Sequence, residues 1–192
     1  MVNEGRLVNE KRRALVNDIY ERYTTEIENS FVNTTICENN DLRSKRVTGT
    51  KQTDIVFEHM DSVSAVMKYA GEDTAILNFA NYETPGGGFL YGAMAQEEAL
   101  CLESTLYPVI SNHEFYYKEN RQSLNYVGAL YSNRALWSPG IVFFRDGKEK
   151  YCDVITCAAP NASAYLSAGG SKVVNEKALY DRICFIIDEA VK

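Results

Sequence analysis

Apolar positions recur with two periods along this chain, and the changes from one to the other mark out its elements. Over residues 8–29, Leu15, Ile19, Tyr23 and Ile27 share one face at four-residue spacing, opposite Lys11, Arg12, Arg13 and Glu21. That spacing predicts an amphipathic helix. Residues 30–53 are polar, with few apolar positions, and read as mostly loop. Residues 54–60, with Ile55, Val56 and Phe57, read as a short strand. Asp61 is placed to cap a helix through residue 70, with Val63, Val66 and Met67 inward and Gly71 as its stop. Residues 74–80, with Ile76, Leu77 and Phe79, have the pattern of a buried strand that Pro85 ends. Three glycines follow, and then Ala99, Leu102, Leu106 and Val109 recur at helical spacing.

The second half is read the same way. Residues 113–122 are polar and aromatic, a loop or short irregular helix. Residues 126–131 and 140–145 look strand-like, with Pro139-Gly140 as a turn between them. Asp146-Gly147 is a second turn and points to a hairpin with Tyr151-Cys152. Residues 153–158 form a further apolar strand ending before Pro160, and residues 163–172 read as loop. Asn175 can cap a last helix whose inner face is Leu179, Ile183, Ile186, Ile187 and Ala190. Strands alternating with helices predict an α/β domain with a mixed sheet. The expected division is a helical extension over residues 1–53, packed on a core formed by residues 54–192. The last helix runs into Lys192, where an α/β unit ordinarily leads on to another strand.

Composition narrows the possible partners. A chain of 192 residues, 45% hydrophobic and 24% charged, suits one globular domain. Its net charge of −6 argues against broad electrostatic attraction to nucleic acid or an anionic membrane. No apolar run is long enough to span a bilayer, and the N-terminus lacks a signal-peptide pattern. Five cysteines with no CxxC pair favour reduced thiols in a cytoplasmic protein. Two histidines are too few for the usual histidine-rich metal sites, and no cofactor is expected.

The candidate chemistry lies between residues 78 and 98. There Asn78-Phe79-Ala80-Asn81 leads to Gly86-Gly87-Gly88, seven residues intervene, and Gln96-Glu97-Glu98 opens the helical pattern. A glycine loop feeding a helix brings backbone N–H groups near a ligand, an arrangement that binds phosphate. Two adjacent carboxylates there suggest chemistry on a phosphate-bearing substrate. By itself the spacing also fits two solvated carboxylates at the positive end of a helix and a glycine turn without a ligand.

The glycine triplet, its spacing to Gln-Glu-Glu, and the segments Leu130-Tyr131-Ser132, Val142-Phe143, Arg145 and Ala158-Ala159-Pro160-Asn161 resemble the bacterial-type poly(ADP-ribose) glycohydrolases, which are macrodomain proteins. The resemblance runs the length of the chain. It implies a macrodomain-like mixed sheet flanked by helices, and hydrolysis of ribose–ribose O-glycosidic bonds to release ADP-ribose. It implies Glu98 as the acid and base, Glu97 as the holder of ribose hydroxyls, and Gly86, Gly87 and Gly88 around the diphosphate and distal ribose. Asn81 is expected at the ribose or as a turn residue, Gln96 as an orienting group or a helix cap, and Phe89 in the ribose pocket or the core. Family members continue past the last helix, so the sheet is expected to lack its C-terminal strands. Its open edge would then offer a route to self-association. A non-catalytic ADP-ribose-binding module on the same fold is the alternative reading.

Overall fold

The computed structural model describes residues 2–38 and 53–191. The first predicted helix is two, α1 (Val2–Arg22) and α2 (Thr24–Asn33). They break at Tyr23, whose ring stacks on Phe144 with centroids 5.6 Å apart and whose hydroxyl donates to Glu149 at 2.6 Å. The predicted face survives the break: Ile19 and Ile27 are buried, and Leu15 and Tyr23 pack beside them.

The polar stretch after it is not all loop. It completes α2 and forms strand β1 (Thr35–Glu38). Four residues are too few for a readable alternation. The rest of that expected loop, through residue 52, lies outside the described residues. The strand expected over residues 54–60 is not formed; Ile55, Val56 and Phe57 are unpaired and exposed. Apolar character alone provides no neighbouring strand.

Helix α3 (Ser62–Tyr69) follows the prediction, with the Ser64 N–H donating to Asp61 Oδ1 at 3.0 Å. Strand β2 (Ala75–Phe79) also forms, although Phe79 is exposed. The helical spacing beyond the glycines is shared by α4 (Gln96–Leu102) and α5 (Leu106–Ser111). Ser104 divides them: its hydroxyl donates to Leu100 O at 2.6 Å and accepts from Leu106 N–H at 3.1 Å, and its backbone bridges to Phe143. Helices α6 (Glu114–Asn120) and α7 (Ser123–Tyr126) come next. The strand expected over residues 126–131 is absent, because Val127, Ala129 and Tyr131 have positive φ, which no ladder accommodates.

Strand β3 (Arg134–Arg145) runs through Pro139-Gly140 without turning. Its register against β4 (Lys148–Cys157) slips between Ser138 and Ile141. Gly140 has φ 65° there and donates its N–H to Asp153 Oδ1 at 2.8 Å. The turn signal was a β-bulge. Asp146-Gly147, at φ 52° and 72°, makes the expected hairpin with the left-handed pair that a two-residue turn requires. Helix α8 (Ala162–Ser167) replaces part of the expected loop, its Ala164 N–H donating to Asn161 Oδ1 at 3.0 Å.

Helix α9 (Lys172–Ala190) starts after Ser171, so Asn175 lies inside it and caps nothing. Its buried face is Asn175, Arg182, Phe185 and Glu189, while Leu179, Ile183 and Ile187 are exposed. Phe185 packs on Ala135, Ile155 and Cys157 of the sheet and thereby fixes the helix rotation. The apolar stripe at 179, 183 and 187 is thus not the inner face, and the buried stripe contains two charged residues, Arg182 and Glu189.

Among the described residues the sheet has the order β1-β3-β4-β2, with β2 and β4 parallel and the other pairs antiparallel. The main core lies between one sheet face and α1 to α6, and α9 covers the other face. The N-terminal helices contribute Ile19 and Ile27 to that main core.

Candidate active site

Among the described residues β2 stands at one side of the sheet, and one side chain fastens the site to its outer edge. Phe79 N–H donates to Gln96 Oε1 at 2.9 Å, and Gln96 Nε2 donates to Leu77 O at 2.8 Å and to Ser62 Oγ at 3.2 Å. The Gln96 amide thus stands where a peptide of a further strand would pair. It fixes the start of α4 against β2 and α3.

The next two residues occupy the first turn of α4, where the helix dipole favours negative charge. Both are buried. Glu97 accepts from Asn81 N–H at 2.7 Å on one oxygen, and from Gly86 N–H at 3.1 Å and Asn78 Nδ2 at 3.4 Å on the other. Glu98 accepts from Gly88 N–H at 2.8 Å and from Ala95 N–H at 3.2 Å. Glu97 titrates unusually for a carboxylic acid. Burial pushes it up to about 7, the charge of Glu98 adds to this, and the N–H donors from Asn81, Asn78 and Gly86 oppose it.

The glycines serve these acids. Gly86 and Gly88 donate to the two carboxylates, and Gly87 N–H closes a turn on Thr84 O at 3.1 Å. In the structure carboxylates and a carbonyl hold these three amides. Gly87 has φ +54°, and a Cβ there would lie 2.7 Å from Glu98 Oε1 and 3.0 Å from Glu97 Oε2. Both acids converge on the space that glycine leaves open.

Asn81 is exposed, and its Oδ1 accepts from Glu83 N–H at 2.9 Å and Thr84 N–H at 3.0 Å. This is the self-bonding turn that asparagine favours, and its own N–H holds Glu97. Phe89 is completely buried, tilted against Tyr107 with ring centroids 5.0 Å apart and lying under Arg12 at 5.1 Å. It is a core residue, the second of the two places expected for it, and it does not line the cleft. The same loop is braced by α1, with Asn9 Nδ2 donating to Leu90 O at 3.1 Å.

Beyond Asn81 a cleft of about 540 Å³ opens between residues 79–84, Tyr126, Tyr131, Ala158, Ala159 and Asn161. That size falls in the range of small-molecule sites. The Tyr131 ring stacks on Tyr82 at 4.0 Å, and Tyr126 meets it edge-on at 5.5 Å. Sequence reasoning missed these tyrosines, which stood in an apparent strand. It also gave no role to Asn78. A polar residue in an apolar run was the available signal. Asn78 is fully buried, reaches Glu97 and Thr156, and its Oδ1 has no hydrogen-bond partner. Among the described residues no three His, Cys, Asp or Glu side chains are grouped to hold a metal, and no helix is long and apolar enough to cross a membrane.

A family profile described as the catalytic domain of microbial-type PARG matches residues 1–146. No curated protein sequence matches. Solved structures are similar over most of the chain. Poly(ADP-ribose) glycohydrolase (PARG) from Thermomonospora curvata superposes with a TM-score of 0.80 at 24% identity, over 94% of this chain and 75% of that one. The Deinococcus radiodurans enzyme, solved with ADP-ribose, gives 0.69 at 27% identity over 85% and 70%. The mixed sheet flanked by helices is thus the expected macrodomain-like fold. With the paired acids, their glycine loop and most of the sheet inside the matched residues, the chain belongs to the microbial-type poly(ADP-ribose) glycohydrolases, through their catalytic domain.

Proposed function

We propose that this chain hydrolyses the ribose–ribose O-glycosidic bond at the end of poly(ADP-ribose) and releases ADP-ribose, with Glu98 as the reacting acid and base. The observation that carries this is the buried pair Glu97-Glu98, each carboxylate held by main-chain N–H groups, with the N–H donor Asn81 itself lining an open cleft. Such groups are oriented before substrate arrives. Glu98 in its acid form gives its proton to the departing 2′-oxygen as the bond to the anomeric carbon breaks. The carboxylate then takes a proton from water, whose oxygen bonds to the oxocarbenium-like carbon. Glu97 holds the ribose hydroxyls. Gly87 lets the sugar approach both acids, Gly86 and Gly88 hold the acids from behind, and Asn81 lies where the cleft meets them. Gln96 orients the pair from the β2 edge.

One observation favours a second assignment on the same site. Glu97 is the acid raised to about 7, which suits a proton donor at neutral pH. Exchange of glutamate for glutamine separates the two. Under the main reading Glu98→Gln lowers turnover about a hundred- to ten-thousand-fold and keeps ADP-ribose affinity, whereas Glu97→Gln weakens binding. The reverse pattern assigns the acid to Glu97. Undiminished turnover in Glu98→Gln, or a parent that binds ADP-ribose without turnover, removes Glu98 as the reacting group; the latter result makes the chain a binding module.

Five cysteines with no CxxC pair support a cytoplasmic enzyme, the family profile supports a bacterial type, and the acidic net charge supports ADP-ribosylated proteins rather than nucleic acid or membrane as its partners. The β2 edge is the place through which copies of the chain would self-associate.

A further inference from the structure

Tyr131, on one wall of the cleft, belongs to a stretch of strained backbone. Val127, Ala129 and Tyr131 have φ of 47°, 71° and 62°, left-handed values that residues other than glycine adopt at a cost. Such strain persists where the surroundings over-determine the conformation. Asn161 N–H holds Ala129 O at 2.8 Å, Tyr82 Oη accepts from Ser132 N–H at 3.3 Å, and Arg182 of α9 holds the end of the stretch. Arg182 is almost completely buried. Its guanidinium donates to Tyr131 O at 3.1 Å, Ser132 O at 2.8 Å, Leu130 O at 3.5 Å and Asn133 Oδ1 at 2.7 Å, and also to Ala158 O.

None of these acceptors is a carboxylate. Buried charge is ordinarily paired, and here its N–H groups are directed at carbonyls of two separate loops. Those loops supply Tyr131 and Ala158 to the cleft. The planar fork of arginine can reach several fixed acceptors at once, which a lysine ammonium cannot copy.

We propose that Arg182 is a positioning residue for substrate binding: from the last helix it sets Tyr131 and Ala158 in the geometry the cleft's ligand requires, without touching the ligand. This rests on the reading of the cleft as the ADP-ribose site. Glu97 and Glu98 stand on a different element, so the effect belongs to binding and not to the chemical step.

The test is an ADP-ribose titration, a melting curve and steady-state hydrolysis of poly(ADP-ribose) on the full chain and on Arg182→Lys and Arg182→Gln. Unsatisfied buried carbonyls predict a rise in Kd and KM of about tenfold, with kcat within about twofold of the parent. A folded variant with unchanged Kd, or one that loses kcat at constant KM, overturns the proposal. If neither arginine variant folds, Asn133→Ala decides. It removes one guanidinium acceptor and predicts a smaller rise in KM at constant kcat; an unchanged KM overturns the proposal. A parent that fails to bind ADP-ribose refutes the functional reading itself, a result distinct from an Arg182 variant that matches a binding parent.

Discussion

Gly87 is the position where backbone conformation and acid placement meet. Its φ of +54° already disfavours a side chain, and a Cβ would press on Glu98 Oε1 at 2.7 Å. Gly87→Ala therefore moves the acids as well as straining the turn. The strain alone costs roughly 1–2 kcal/mol. Turnover should fall at least tenfold in protein that still melts cooperatively, as paired rate and melting measurements would show; normal turnover would mean that the acids need no open space there. Glu97 makes stability depend on pH. Its acid form is favoured in the folded state, from an ordinary 4.5 to about 7. The folded chain then binds more protons than the unfolded one across that window, so this contribution is present below about 4.5 and is lost as pH rises through about 7. Melting temperature followed from pH 5 to 8 should fall less in Glu97→Gln than in the parent. Identical slopes would refute the raised value. The sequence made Glu97, Glu98 and the glycines legible because motif and spacing are local. It could not show that the helix start folds back so that glycine amides serve the acids, since that depends on how α4 lies against β2.

At the scale of elements, Gln96 is the clearest joint. Its amide pairs with Leu77 O and Phe79 N–H as a strand would, so it couples the sheet edge to the first turn of α4. Gln96→Ala should cost about 1 kcal/mol of stability for the lost hydrogen bonds and lower kcat through misplaced acids. Gln96→Glu should do worse, because a carboxylate cannot donate to Leu77 O. Denaturant melts with kinetics rank the two; equal behaviour of Glu and Ala would show that the edge contact is incidental. Elements with caps or left-handed turns were legible: Asp61 at α3 and Asp146-Gly147 between β3 and β4. Those decided by tertiary contact were not. Pro139-Gly140 looked like a turn, but β4 holds the strand together through a bulge. Residues 126–131 looked like a strand, but their conformation comes from distant groups such as Arg182.

For the whole molecule, the frame is that of the glycohydrolases, and the chain covers 75% and 70% of the two superposed enzymes. Among the described residues β2 is the last strand on its side of the sheet, and α9 exposes Leu179, Ile183 and Ile187 in one stripe. The part of the β2 edge beyond the Gln96 contact and the apolar stripe both favour association. Light scattering should find more than the monomer at high concentration, and Ile183→Lys with Ile187→Lys should shift the chain towards monomer; a purely monomeric parent would contradict this. The charged positions on the buried face of α9 hid its orientation, and the parallel pairing of β2 with β4 joins residues too far apart for local pattern to reveal. The central claim concerns the paired acids. Its most direct measurement is the release of monomeric ADP-ribose from automodified, poly(ADP-ribosyl)ated protein by the parent chain and by Glu98→Gln. The account predicts release by the parent and near-complete loss in the variant, with ADP-ribose still bound. Equal release by both would contradict it.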